Sequence, residues 1–148
     1  MAEPHPKPSV SALIADHAAQ LAAQRKWVEG HFDDATLYQD TSNKLRVIAT
    51  ILDNKWIDPS ETVKLQCLGV AFGDALAETV GLEWVTFSLG EDEWPGLRLG
   101  ETSLFIHPLT MISKRVEAGE DVDVIELFQG IAHQIEALKS QVDQGSRQ

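Results

Sequence analysis

From Leu65 to Gly81 the chain reads L-Q-C-L-G-V-A-F-G-D-A-L-A-E-T-V-G, and no other stretch limits its fold as much. The apolar spacing predicts a helix, yet Gly69 and Gly73 lie four residues apart inside it, with Ala77 four further on. Each glycine weakens a helix by about 1 kcal/mol against alanine. A face bare of side chains offsets that loss where another backbone comes close, so the segment predicts a packing seam. In lipid the same spacing would suggest helix dimerisation, but Asp74 and Glu78 exclude a span. Phosphate-binding glycines lie in a loop between a strand and a helix, whereas these lie mid-helix.

After the seam, Leu82 to Leu89 alternates, with Trp84, Thr86 and Ser88 on one face and Val85, Phe87 and Leu89 on the other. Period two predicts a strand. Gly90 to Gly96 reads as a loop, and Leu97 to Ile106 as the return strand of a hairpin, interrupted at Gly100-Glu101. Pro108 opens a fourth helix carrying Leu109, Ile112 and Val116, and Gly119 ends it. Asp123 with Glu126 forms a capping box for a fifth helix, whose stripe is Val124, Leu127, Phe128, Ile131, Ile135, Leu138 and Val142.

Before the seam, Pro4, Pro6 and Pro8 mark a frayed tail over residues 1–8. Ser9 or Ser11 is positioned to cap a first helix with the stripe Val10, Leu13, Ile14, Ala18, Leu21 and Val28. Arg25 and Lys26 complement its C-terminal dipole, and Gly30 stops it. The polar connection Asp33–Thr41 holds one buried-looking pair, Leu37 and Tyr38. A second helix follows from about Ser42 to Asn54, with Leu45, Ile48, Ile51 and Leu52 inward and Trp56 and Ile57 as core anchors after it. Asp58-Pro59-Ser60-Glu61 predicts the start of the seam helix, with Asp58 as cap and Glu61 closing a box. The expectation is an α+β domain, mostly helical, with five helices and a small antiparallel hairpin. It spans residues 9–143, with disordered tails at 1–8 and 144–148.

At 148 residues the chain is long enough for one domain with an ordinary core. Its 12 Lys+Arg against 23 Asp+Glu leave a net charge of −11. Phosphate backbones and anionic membrane surfaces repel such a chain, whereas a basic protein is attracted. Cys67 is alone and can form no intramolecular disulfide. The N-terminus lacks the apolar segment of a secretory signal, and no apolar run approaches the ~20 residues of a membrane helix. These features predict a cytoplasmic protein.

Chemistry is sparse. No H-E-x-x-H, C-x-x-C, P-loop, G-x-S-x-G or dinucleotide fingerprint occurs, so neither a metal nor a cofactor is expected. His5, His17, His31, His107 and His133 are scattered; His107, before Pro108, reads as a cap or a partly buried ring. Cys67 sits among apolar neighbours, which raise a thiol pKa and quench its reactivity. Asp74 and Glu78 read as an ordinary solvated helix edge, and Lys114 and Arg115 as surface ion-pairing cations. Should a ligand groove exist, Asp74, His107 and Lys114 are its candidates. A different pattern appears in Glu91-Asp92-Glu93-Trp94-Pro95-Gly96, where three acids adjoin an aromatic. Aromatics anchor interfaces and charges guide approach, so Glu91, Asp92, Glu93 and Trp94 are the candidate partner-binding residues. The plainer reading is a hairpin loop whose Trp folds back on the sheet.

The segments L-G-V-A-F-G-D-A-L (Leu68–Leu76), G-L-E-W-V (Gly81–Val85) and H-P-L-T-M-I-S-K-R-V-E-A-G-E (His107–Glu120) occur in that order. Over roughly Leu65–Glu120 the chain resembles a bacterial domain-of-unknown-function family, number 3806. The resemblance implies a bacterial cytoplasmic protein and brings no activity with it. Two functional expectations follow. One is a non-catalytic protein-binding module, such as an immunity or accessory protein that neutralises a basic toxin domain. The other is a small-ligand or enzymatic domain.

Overall fold

The glycine-bearing helix, α3 (Thr62–Val80), is the element on which the other layers meet. A computed structural model describes residues 7–102 and 104–146, with side chains as far as residue 141. In chain order the elements are β1 (Ser9–Ala12), α1 (Ala15–Glu29), a 3-10 turn (Ala35–Gln39), α2 (Thr41–Asp53) and α3. There follow β2 (Glu83–Leu89), β3 (Asp92–Arg98), β4 (Phe105–Ile106), a 3-10 turn (Pro108–Thr110), α4 (Met111–Glu117) and α5 (Val124–Ser146). Five helices and a four-stranded antiparallel sheet in the order β1-β2-β3-β4 make an α+β fold.

The seam is real. A Cβ on Gly69 would lie 2.5 Å from the carbonyl oxygen of Pro108 and 2.7 Å from that of Leu109. One on Gly73 would lie 2.7 Å from the Pro108 ring and 2.7 Å from the Trp84 indole. The bare face of α3 therefore receives the Pro108 turn and one face of the sheet. Its other faces bury Leu65, Leu68, Phe72 and Leu76 completely. Each such side chain contributes about 1.5–3 kcal/mol of transfer free energy. Phe72 meets Phe128 of α5 edge-on, with centroids 6.0 Å apart.

Several boundaries differ from the sequence reading. Ser9–Ala12 is a strand, paired Val10↔Phe87 and Ala12↔Val85, where helix was expected. Pairing with β2 supplies long-range backbone partners that local caps cannot outcompete, and α1 starts only after the Ile14 N–H has bonded Thr86 Oγ1 (3.1 Å). The buried stripe of α1 is His17, Leu21, Gln24 and Val28, while Ala18 is exposed. Of the expected capping box only one bond forms, Glu61 Oε2 accepting from the Asp58 N–H. Asp58 Oδ1 accepts instead from the Ser60 N–H, in a turn that ends before α3 begins at Thr62 with Glu61 as its N-cap. The hairpin loop is short: Leu89 pairs with Asp92, leaving only Gly90 and Glu91, and Gly90 supplies the positive φ of +62°. Trp94, Pro95 and Gly96 belong to β3. Pro95 is tolerated there because β4 pairs only with Leu97 and Arg98. The expected interruption at Gly100 divides the return strand into β3 and β4.

Trp56 is 61% exposed and Leu37 43% exposed, so neither is a core anchor, whereas Ile57 and Tyr38 are buried. At the C-terminus α5 continues through residues 144–146, where a disordered tail was expected. Residues 1–6, including His5, and residues 147–148 lie outside the described residues.

Candidate functional site

Asp74 is not on a solvated edge. Its carboxylate lies on the buried side of α3, 8% exposed, and accepts from four N–H or O–H groups. Arg25 of α1 donates Nε–H to Oδ2 (2.7 Å) and Nη2–H to Oδ1 (3.0 Å). Tyr38 O–H reaches Oδ2 (2.6 Å), and Trp84 Nε1–H reaches Oδ1 (2.8 Å). The forked pair is the strong form of a charge-assisted contact. The hydrogen bond and negative charge of Asp74 raise the Arg25 pKa further, against the opposing effect of burial. Burial, followed by the charge of Asp74, pushes the Tyr38 phenol far above its ordinary value.

A second ion pair adjoins the first. Lys44 of α2 is 1% exposed, yet its Nζ donates to Glu78 Oε1 (2.7 Å) and to the Gln39 carbonyl (3.2 Å). The ammonium also lies 4.9 Å from the centroid of the Tyr38 ring. Thr41 Oγ1–H completes the Glu78 carboxylate at 2.8 Å. This polar chain, buried at Asp74, Tyr38 and Lys44 and solvent-exposed at Glu78, ties α1, the first 3-10 turn, α2, α3 and β2 together. Every acceptor position on Asp74 is occupied, so the group has no room for a substrate and no vacant role as a base.

The other face of the sheet is organised differently. By alternation Val85, Phe87, Trp94, Gly96 and Phe105 point away from Trp84 and the helices. Val85 and Phe87 are buried but stand apart from the main core. Phe87 is covered by its own neighbours: Trp94 stacks beside it (6.0 Å, 14°), while Phe105 (4.9 Å) and His107 (5.0 Å) meet it edge-on. Gly96 leaves room for the Phe87 ring, which would lie 2.5 Å from a Cβ at that position. Trp94 Nε1–H donates to His107 Nδ1 at 3.3 Å. Trp94 and Phe105 are half-buried, and His107 is exposed along one edge. Burial, and then the nearby charge of Lys114, lower the His107 pKa from its ordinary value. Beyond Trp94 the hairpin ends in Glu91, Asp92 and Glu93, all exposed.

The structure thus places Asp92 and Trp94 on the outer sheet face with Glu91 in the adjoining turn, while Glu93, opposite Ser88, points to the other side of the strand. His107 lies at the outer face, against Phe87 and Trp94, and the charge of Lys114 contributes to lowering its pKa. Asp74 is on the opposite side of the sheet, closed by its own partners. Three clefts of about 510, 470 and 620 Å³ are lined by other residues than these three. Among the described residues no three His, Cys, Asp or Glu side chains gather as metal ligands, and no helix is long and apolar enough to cross a membrane. Burial raises the pKa of the Cys67 thiol.

Sequence reasoning missed the partners of Asp74 and the outward role of Phe87 and Phe105. A lone carboxylate within an otherwise apolar run was the available signal for the first. The opposite phases of Phe87 and Trp84 were the signal for the second.

The family model for the domain of unknown function DUF3806 matches residues 44–128, more than half of the chain. The chain belongs to this family. The DUF3806 segment runs from Lys44 to Phe128 and so takes in the seam helix, β2–β4 and the Pro108 turn, while β1, α1 and Arg25 precede it. A crystal structure from Bacteroides thetaiotaomicron VPI-5482 has the same fold, with a TM-score of 0.69 at 21% identity over 88% of this chain. The chain spans half the length of that protein. No curated protein matches it.

Proposed function

We propose that this DUF3806 protein is a non-catalytic protein-binding module that receives a basic protein on the acidic end of its outer sheet face. The observation that carries the reading is the β2–β3 hairpin, whose tip holds Glu91, Asp92 and Glu93 in solvent, with Asp92 on the same face as the half-buried Trp94. The net charge of −11 adds long-range attraction for a cationic surface. The closed shell of donors around Asp74 supports a structural role for that carboxylate. A basic toxin domain, neutralised by having its cationic surface covered, is the partner class we favour, on the strength of charge alone.

The test is affinity capture on the immobilised protein from cells that produce it. The wild type is run beside the Glu91→Gln/Asp92→Asn/Glu93→Gln variant, and captured proteins are identified and sized for charge. The expected result is a basic protein, released by salt and lost with the triple variant. A captured partner that is acidic, or that binds the triple variant as well as the wild type, refutes the reading.

A further inference from the structure

We propose that the outer sheet face recognises a guanidinium group, so that the basic partner docks by laying an arginine side chain flat on Trp94. This rests on the protein-binding reading above and specifies the chemistry of the same surface. Trp94 is held before any partner arrives: one side of the ring lies along Phe87 at 14°, and its N–H is fixed by His107 Nδ1. A ring fixed in this way loses little freedom on binding, which favours its use as an anchor. Asp92 points to the same side of β3 two residues earlier, about 7 Å along the strand. Glu91 lies in the adjoining turn, and Glu93 faces the other side of the strand, where it adds only to the field of the hairpin tip. Among the described residues none of these three carboxylates is in an ion pair.

A planar aromatic face with carboxylates at one edge suits a guanidinium better than an ammonium. Guanidinium is itself planar, stacks on aromatic faces and offers a fork that matches a carboxylate bidentately. An ammonium is a compact, strongly hydrated point charge and gains mainly the electrostatic part. Direction follows from the cation on this side. Arg98, in phase with Trp94, is at the far end of β3, donating Nε–H to the Thr102 carbonyl. The face is therefore acidic at the hairpin turn and cationic towards β4, and an incoming arginine enters at the turn.

The experiment uses the full chain and two probes, oligo-arginine and oligo-lysine peptides of equal length with capped ends, titrated by calorimetry at low salt. The wild type is expected to bind the arginine peptide about threefold or more tightly than the lysine peptide, because the planar guanidinium stacks on the ring whereas the hydrated ammonium gains only the electrostatic part. Trp94→Leu should equalise the two peptides while still binding both, and the triple carboxamide variant should weaken both together. Should Trp94→Leu prove unfolded by circular dichroism, Trp94→Phe retains the stack on Phe87 and should shrink the ratio. Equal binding of the two peptides by the wild type overturns the inference, as does a ratio that survives at Trp94→Leu. In either case salt-sensitive binding that the triple variant loses leaves the protein-binding reading intact. If the wild type binds neither peptide, both fail.

Discussion

Replacing Asp74 by Asn keeps the shape of the side chain and removes its charge, and the consequence can be worked out bond by bond. Oδ1 faces two obligate donors, Arg25 Nη2–H and Trp84 Nε1–H, whereas Oδ2 faces Arg25 Nε–H and the Tyr38 hydroxyl. The amide will therefore turn its NH2 towards the Oδ2 position, where the Tyr38 hydroxyl can rotate and accept. One conflict remains, the Arg25 Nε–H against the amide N–H, together with a guanidinium stripped of its counter-charge. Hydrogen bonds to charged groups are worth about 1.5–3 kcal/mol, and breaking a buried pair on one side costs about 3–5 kcal/mol. The Arg25 side chain is 30% exposed and partly screened, which places Asp74→Asn near the lower limit, about 3 kcal/mol. Arg25→Met combined with Asp74→Leu removes both charges but orphans the Tyr38 O–H and the Trp84 N–H, at about 1–3 kcal/mol each, so it should be no more stable than Asp74→Asn. Urea unfolding followed by far-ultraviolet circular dichroism gives both numbers, provided the m-value is unchanged. A loss below about 1 kcal/mol for Asp74→Asn would refute the claim that this carboxylate holds the layers together.

Gly69→Ala should destabilise the protein by about 2–3 kcal/mol despite the better helix propensity of alanine, since the new Cβ meets two backbone carbonyls that cannot turn aside. The control is Gly130→Ala in α5, where a Cβ meets nothing within 4 Å and a gain of about 0.5–1 kcal/mol is expected in the same urea titration. His107 should make the fold acid-sensitive: burial and Lys114 depress its pKa below the unfolded value near 6.5, so the unfolded chain binds the proton more readily. Its stabilising contribution is complete above about pH 6.5 and is lost as pH falls through the depressed value. Comparing urea midpoints at neutral and mildly acidic pH, His107→Gln should lose less stability than the wild type; an equal loss contradicts the assignment.

Much of the fold is legible because it obeys local rules. Gly81 takes positive φ (75°) as the stop of α3, Gly119 does the same after α4 (78°), and Asp123 Oδ1 accepts the Glu126 N–H at the start of α5. The seam is legible too, since two glycines in an apolar helix have few other uses. The Asp74 site is not, because its partners lie 49, 36 and 10 residues away and nothing local marks them. For the same reason Ser9–Ala12 misleads: four residues cannot declare a strand until β2 is beside them. Pro95 and Gly96 are turn residues elsewhere, so the sequence predicts a loop at Trp94. In β3 the proline occupies a locally unpaired edge, and the glycine makes space for Phe87.

Seam and surface are linked through one short peptide. Gly69 and Gly73 draw the backbone of Pro108 and Leu109 against α3, to distances that admit no Cβ. His107 immediately precedes Pro108, and its Nδ1 accepts the Trp94 indole N–H on the far side of the sheet. The place of His107 is therefore set from behind by the glycine face, and the plane of the Trp94 ring is set from the side by His107. Moving the Pro108 turn outward by the width of one methyl group would carry His107 with it and loosen that hydrogen bond, already long at 3.3 Å. The glycines bind nothing themselves. What they fix is the orientation of an aromatic ring with Asp92 on its own face of the strand, and a preformed ring of that kind is what a flat cation requires.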